Sequence, residues 1–186
     1  FELALRTLYE YPEAPALFRE ELKALAKSEA EHLQLCLDGL EALGFSWGHW
    51  PVHLSLWQAV KAGEPLLDRI LIVHRYLEGS GLDAGDQLLR RLNGVSAGVT
   101  EPVLRRINSE EVDHVLFGSK WYRHISLQEG LNPENDFRER LERLRFQLPK
   151  RIEKINFELR RQAGFSESEI ESLQNLRESF LAPLKN

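Results

Sequence analysis

Cysteine occurs once in these 186 residues, at Cys36, and methionine does not occur at all. A single thiol excludes an internal disulfide framework and suits a reducing compartment. No apolar run is long enough to span a bilayer, and the opening residues lack the charged-then-apolar pattern of a secretory leader. These absences predict a cytoplasmic protein with no membrane association. Runs of alternating β-branched residues are also scarce, which removes the sheet-based fold classes. The string opens on Phe1, and Phe1 to Tyr11 already reads as the middle of an amphipathic helix. The expectation is a chain cut upstream, its first helix truncated, with modified methionines dropped from the string.

What the chain has in quantity is helical periodicity, punctuated by Pro and Gly. The length and an apolar fraction of 42% suit one domain with a real core, residues 1–186. The predicted helices are Phe1–Glu10, Ala16–Leu43, a short one near Leu54–Ala62, Glu64–Glu78 closing at Gly79-Ser80-Gly81, a short one near Ala84–Leu92, and Glu101–Gln128. Residues 136–186 are predicted to form a C-terminal helical extension packed on the bundle. It comprises a charged helix from Asp136 to Gly164, broken near Pro149, and a last helix Glu167–Phe180. Ser166 followed by Glu169 is a capping box for that last helix. The fold class is all-α, a four-helix bundle with additional short and C-terminal helices.

Two strings share one spacing, Glu29-Ala30-Glu31-His32 and Glu111-Val112-Asp113-His114. Positions three apart lie on one face of a helix, so each string offers a carboxylate and an imidazole to one point in space. Both fall on apolar stripes. Two Glu-x-x-His helices plus one Glu from each of two others make the dinuclear carboxylate site of ferritin-like bundles. Glu2 precedes the first string and Glu78 lies between the two, in the matching chain order. Buried glutamates repel one another unless cations neutralise them, and two divalent ions balance four carboxylates. Mixed oxygen and nitrogen ligation suits Fe or Mn, in contrast to the thiolate-rich sets of structural zinc. The candidate metal ligands are therefore Glu2, Glu29, His32, Glu78, Glu111 and His114. The candidate cofactor is two Fe ions, alternatively Mn.

Other residues have blander roles. Glu31 and Glu110 point off the histidine-bearing face and read as solvated. His74, one turn before Glu78, is either its hydrogen-bonding partner or a core histidine. His53 reads as a loop anchor, Cys36 as a small buried hydrophobe, and Trp47, Trp50, Trp57 and Trp121 as core or lid packing. Between Arg138 and Arg161 nine Lys/Arg face four Glu, giving +5 and leaving about −10 elsewhere. That patch suits a solvated helix face, with a polyanion such as tRNA as the minority partner.

A longer ordered set of motifs runs through the chain. It includes Glu2-Leu3-Ala4-Leu5, Gly48-x-x-Pro51-Val52-His53-x-x-Leu56-Trp57, Val73-His74-Arg75-Tyr76-Leu77-Glu78-x-x-Gly81-Leu82-Asp83, Trp121-Tyr122-Arg123-His124 and Asn156-x-Glu158-x-Arg160-Arg161-x-Ala163-Gly164-Phe165. In these, and in the two Glu-x-x-His strings, the chain resembles a bacterial family of uncharacterised ferritin-like proteins. That family is related at fold level to the tRNA isopentenyl-adenosine hydroxylases. The resemblance implies a ferritin-like fold, a di-iron centre and a ligand role for Glu2 on a longer first helix. It names no substrate. The function expected is an O2-dependent hydroxylase or oxidase acting on a small molecule. The alternatives are a non-catalytic iron-handling protein and a metal-free RNA-binding module.

Overall fold

The computed structural model describes residues 1–181; the last five positions of the expected C-terminal extension lie outside the described residues. Every regular element among the described residues is helical. Helix α1 (Glu2–Glu10) ends before Pro12, and Pro15 caps the start of α2 (Ala16–Ala42). Pro favours both positions because it lacks a donor N–H and disfavours helix in the residue before it. The short α3 (Ser55–Gln58) follows an irregular segment carrying exposed Trp47, Trp50 and Val52.

The third long element departs from the sequence expectation. Helix α4 (Leu66–Ile70), a π-helical segment (Leu71–Glu78) and α5 (Gly79–Leu92) form one uninterrupted rod, with no closure at Gly79-Ser80-Gly81. Glycine costs a helix about 1 kcal/mol relative to alanine, so the two glycines need a compensating contact. Gly79 has one: a Cβ there would lie 2.1 Å from Arg160 Nη1 and 2.8 Å from Arg160 Cζ. The bare backbone lets a guanidinium from another helix lie against the rod. Arg160 Nη1 donates to the Arg75 carbonyl at 2.9 Å, and Ser80 Oγ donates to the Tyr76 carbonyl at 2.6 Å. Side chains thus serve carbonyls in the turn where α-helical and π-helical bonding meet.

Helix α6 (Thr100–Gln128) packs on α2 and along the whole rod, while α1 packs on α2. Phe18, Leu22 and Leu25 of α2, Leu67, Ile70 and Leu71 of the rod, and Val115 and Tyr122 of α6 are buried between them. Gly118 permits the close approach of α6 to the π segment, since a Cβ there would stand 2.5 Å from His74 Cβ.

The charged segment is shorter as a helix than its sequence predicts. Helix α7 (Pro133–Leu144) starts early, on an Asn132 cap that accepts from Asn135 N at 3.0 Å with Pro133 in the first turn. It stops at Leu144, and the chain stays irregular past Pro149 until Asn156 caps α8 (Phe157–Gln162). Helix α9 (Glu167–Leu181) begins with the capping box: Ser166 N donates to Glu169 Oε2 at 2.9 Å, and Glu169 N to Ser166 Oγ at 3.3 Å.

These C-terminal helices are tied to the rod by buried ion pairs. Arg75 binds Glu169 through two bonds of 2.8 Å, with Tyr122, Phe137 and Phe165 around its guanidinium. Asp83 takes Arg160 at 2.7 Å and Arg177 at 2.8 Å. Pairing of this kind offsets the large cost of burying each charge. No helix among the described residues is long and apolar enough to cross a membrane.

Candidate metal centre

Helices α2 and α6 run side by side, and the two Glu-x-x-His turns meet at their contact. Each turn places its Glu and its His on the buried face. Glu29, His32, Glu111 and His114 each offer one ligand atom, and these atoms all lie within 4.8 Å of one another. The two histidines are buried and their ring centroids stand 5.3 Å apart. His114 Nδ1 is 2.7 Å from Glu29 Oε1 and 3.6 Å from Glu111 Oε1. His32 Nδ1 is 3.3 Å from Glu111 Oε1 and 3.6 Å from Glu29 Oε1.

Glu29 Oε1, His32 Nδ1, Glu111 Oε2 and His114 Nδ1 are all buried without a hydrogen-bond partner. The short His114–Glu29 approach is out of line for a hydrogen bond. Buried polar atoms left unpartnered on four residues this close together are costly unless a cation takes them up. Two carboxylates and two imidazoles are an oxygen/nitrogen set of the kind divalent first-row metals accept. This buried Glu/His cluster can therefore bind a metal ion.

The outward side of each imidazole is fixed. His32 Nε2 donates to Glu110 Oε2 at 2.9 Å, and His114 Nε2 lies 3.0 Å from Ser28 Oγ. A carboxylate can only accept, so the neutral His32 ring carries its proton on Nε2 and turns the Nδ1 lone pair inward. This is the usual way a ligating histidine is oriented. Glu110 is thus no bystander, contrary to its reading as a solvated residue. It faces α2 across the helix pair, and Arg106 Nε binds its other oxygen at 3.0 Å. Arg106, first, and His32 hold its carboxyl below the usual range. Glu31 is exposed and 3.6 Å from Arg106.

Protons balance the cluster in the metal-free chain. Burial pushes the Glu111 carboxyl up to about 7, with the charges of Glu78 and Glu29 adding to the rise. Burial also works against ionised Glu29, but His114 outweighs it and holds that carboxyl well below the usual range. Burial would lower His114; Glu111 and Glu29 overcome it and raise the imidazole to about 10. Protons here occupy the place of positive charge that cations would otherwise fill.

Glu78 and Glu2 stand apart from this four-residue set. Glu78 ends the π segment, where His74 Nδ1 lies 2.9 and 3.0 Å from its two oxygens, and its charge is felt at both Glu111 and His114. His74 is fully buried, with Nε2 unpartnered. Glu2 is exposed in the first turn of α1, although the neighbouring Phe1 nitrogen is 3.8 Å from Glu29 Oε2.

Several other residues lie away from the cluster. His53 contacts Ser55 at 2.7 Å in the exposed loop, Trp57 lies beneath the Arg6 guanidinium, and Trp121 donates to Glu21. Cys36 is exposed rather than buried, because the buried face of α2 ends at His32. Much of the basic segment is consumed internally. Arg160 is fully buried, Arg140 and Arg143 bind Asp68, and Arg161 binds Glu167.

Comparison with known proteins adds lineage without activity. An "Uncharacterized protein" of Haemophilus influenzae is 28% identical over 173 residues. That alignment takes in 90% of this chain, and the chain spans 58% of the relative's length. No solved structure matches the chain. Residues 1–171 match the family described as "Protein of unknown function (DUF455)", and the chain belongs to that family.

Proposed function

We propose that the chain is a ferritin-like, non-haem dinuclear metal oxidoreductase, an O2-dependent hydroxylase or oxidase of a small molecule. Its cofactor is two iron ions, with manganese as the alternative pair. The observation that carries this reading is that two paired Glu-x-x-His turns bring ligand atoms of Glu29, His32, Glu111 and His114 within 4.8 Å of one another, each residue also having a buried atom without a partner. In this reading α1, α2, the rod and α6 are the four bundle helices.

His32 and His114 would each hold one ion through Nδ1. Glu29 and Glu111, lying between the two imidazoles, would hold both. Glu78, braced by His74, and Glu2 at the start of α1 would complete the set. A pair of such ions, when bound in the reduced state, would supply two of the four electrons that reduction of O2 requires, with the substrate giving the other two and, for a hydroxylase, an external two-electron reductant restoring the pair. The chain's own contribution is to bury the carboxylates, aim the imidazoles and keep the cluster's surroundings dry.

Iron handling without catalysis is separated from this reading by substrate-dependent O2 uptake. An RNA-binding role has less support, because Arg160 is buried and its neighbours are engaged in ion pairs. The test is anaerobic Fe(II) loading, desalting and iron analysis. About two irons per chain are expected. Less than about half an iron per chain would remove the basis for the proposal.

A further inference from the structure

The two imidazoles of the cluster are held from behind by different chemistry. His32 donates to a carboxylate, Glu110 Oε2, at 2.9 Å; His114 faces a hydroxyl, Ser28 Oγ, at 3.0 Å. Glu110 is itself fixed, with Arg106 Nε on its other oxygen at 3.0 Å. Arg106 in turn sits 3.6 Å from Glu31, so a short charged relay, Glu31–Arg106–Glu110, crosses from α2 to α6 and ends on His32. Among the described residues nothing equivalent stands behind His114.

A carboxylate accepting the Nε2 proton pushes electron density onto Nδ1 and makes it the stronger donor, whereas a neutral hydroxyl does so far less. From this asymmetry we infer that Glu110 is a positioning residue which selectively strengthens the His32 half of the centre, so that its two metal positions are inequivalent. Arg106 limits the effect by sharing the Glu110 charge, and it also keeps that carboxylate ionised and pointed at the ring. The Glu110 carboxylate pairs with His32 and Arg106, and it reaches the His114 half only through its backbone neighbour Glu111, so its influence there is indirect.

The inference rests on the dinuclear reading, and the experiment separates the two. Co(II) is titrated anaerobically into the full chain, with cobalt absorption and calorimetry as readouts. The variants are Glu110→Gln, Glu110→Ala and Ser28→Ala. Glu110 lies on the rim of the helix pair, partly open to solvent, and melting of each metal-free variant confirms that it folds. Wild-type chain should take up two equivalents. Glu110→Gln, which keeps an acceptor oxygen but loses the charge, should weaken one equivalent by about 10-fold, and Glu110→Ala by up to about 100-fold. The other equivalent should stay within about threefold, the range of ordinary context effects on a residue not in contact with it. The affected equivalent should also shift its absorption spectrum, which a loss of stability alone would not produce. Ser28→Ala should act on the opposite equivalent, and more weakly. If Glu110→Gln leaves both equivalents unchanged, or weakens both equally, the assignment of Glu110 is overturned while the dinuclear reading stands. If wild-type chain binds no cobalt, both are overturned.

Discussion

Replacing Gly79 by alanine sets two effects of known size against each other. Alanine is the better helix former by about 1 kcal/mol, so in an open helix the change would stabilise. Here the new methyl would sit 2.1 Å from Arg160 Nη1. A flexible arginine at the surface would step aside at little cost. Arg160 cannot do so freely: it is fully buried, bound to Asp83 at 2.7 Å and to the Arg75 carbonyl at 2.9 Å. Displacing it strains a buried ion pair whose outright rupture costs about 3–5 kcal/mol. With the helix-propensity gain subtracted, Gly79→Ala should destabilise by about 2–4 kcal/mol. In a domain of this size that lowers Tm by roughly 4–16 °C. Urea unfolding at constant m-value measures it directly. Because Glu78 is the preceding residue, the same variant should disturb the carboxylate that His74 braces. A Gly79→Ala chain as stable as wild type, or more stable, would refute the argument that Arg160 fixes this turn of the rod.

Gly118→Ala should cost about 1–3 kcal/mol, since its methyl would stand 2.5 Å from His74 Cβ and press the π segment away from α6; thermal melts test it. Glu169→Gln should cost about 3 kcal/mol or more by leaving the buried Arg75 guanidinium without its counter-charge, and a double-mutant cycle with Arg75→Met should recover part of the loss. The cluster also sets a pH dependence. His114 and Glu111 bind protons more tightly folded than unfolded, so the metal-free chain is favoured below their unfolded pKa values, near 6.5 and 4.5. That advantage is lost as pH rises through about 7 for Glu111 and about 10 for His114. Glu29, held well below the usual range, works the other way, its contribution present above about 4.5 and lost as pH falls through its lowered pKa. Metal-free chain should therefore be less stable at pH 10 than at pH 6, with most of the loss coming from His114. Bound metal should reverse that trend, and its affinity should fall as pH drops below about 10, where His114 takes up its proton, and more steeply below about 7, where Glu111 does so, because the ligands must release protons to bind it.

The parts of the site legible in the sequence are those set by local geometry. Glu29 with His32, and Glu111 with His114, are three residues apart, and one helical turn suffices to put each pair on one face. Pro12, Pro15 and Pro133 likewise mark helix starts and stops through their own backbone restrictions. What sequence reading missed depends on partners far along the chain. Glu110 looks solvated on α6, and its role appears only when α2 brings His32 against it from 78 positions away. Gly79-Ser80-Gly81 reads as a break; the rod continues because Arg160, 81 positions later, fills the space above Gly79. The basic run from Arg138 to Arg161 looks like a surface patch, while Arg160 is one of the most deeply buried charges in the chain. A π segment also escapes periodicity arguments built on 3.6 residues per turn, which is why the exact facing of Glu78 could not be read from its stripe.

Anomalous diffraction at the iron edge, from crystals of chain loaded anaerobically with Fe(II), tests the central claim most directly. The account predicts two peaks roughly 3.5–4 Å apart, flanked by the Nδ1 atoms of His32 and His114 and lying between Glu29 and Glu111. Peaks elsewhere, or a cluster interior without anomalous signal in crystals whose iron content is confirmed, would contradict it.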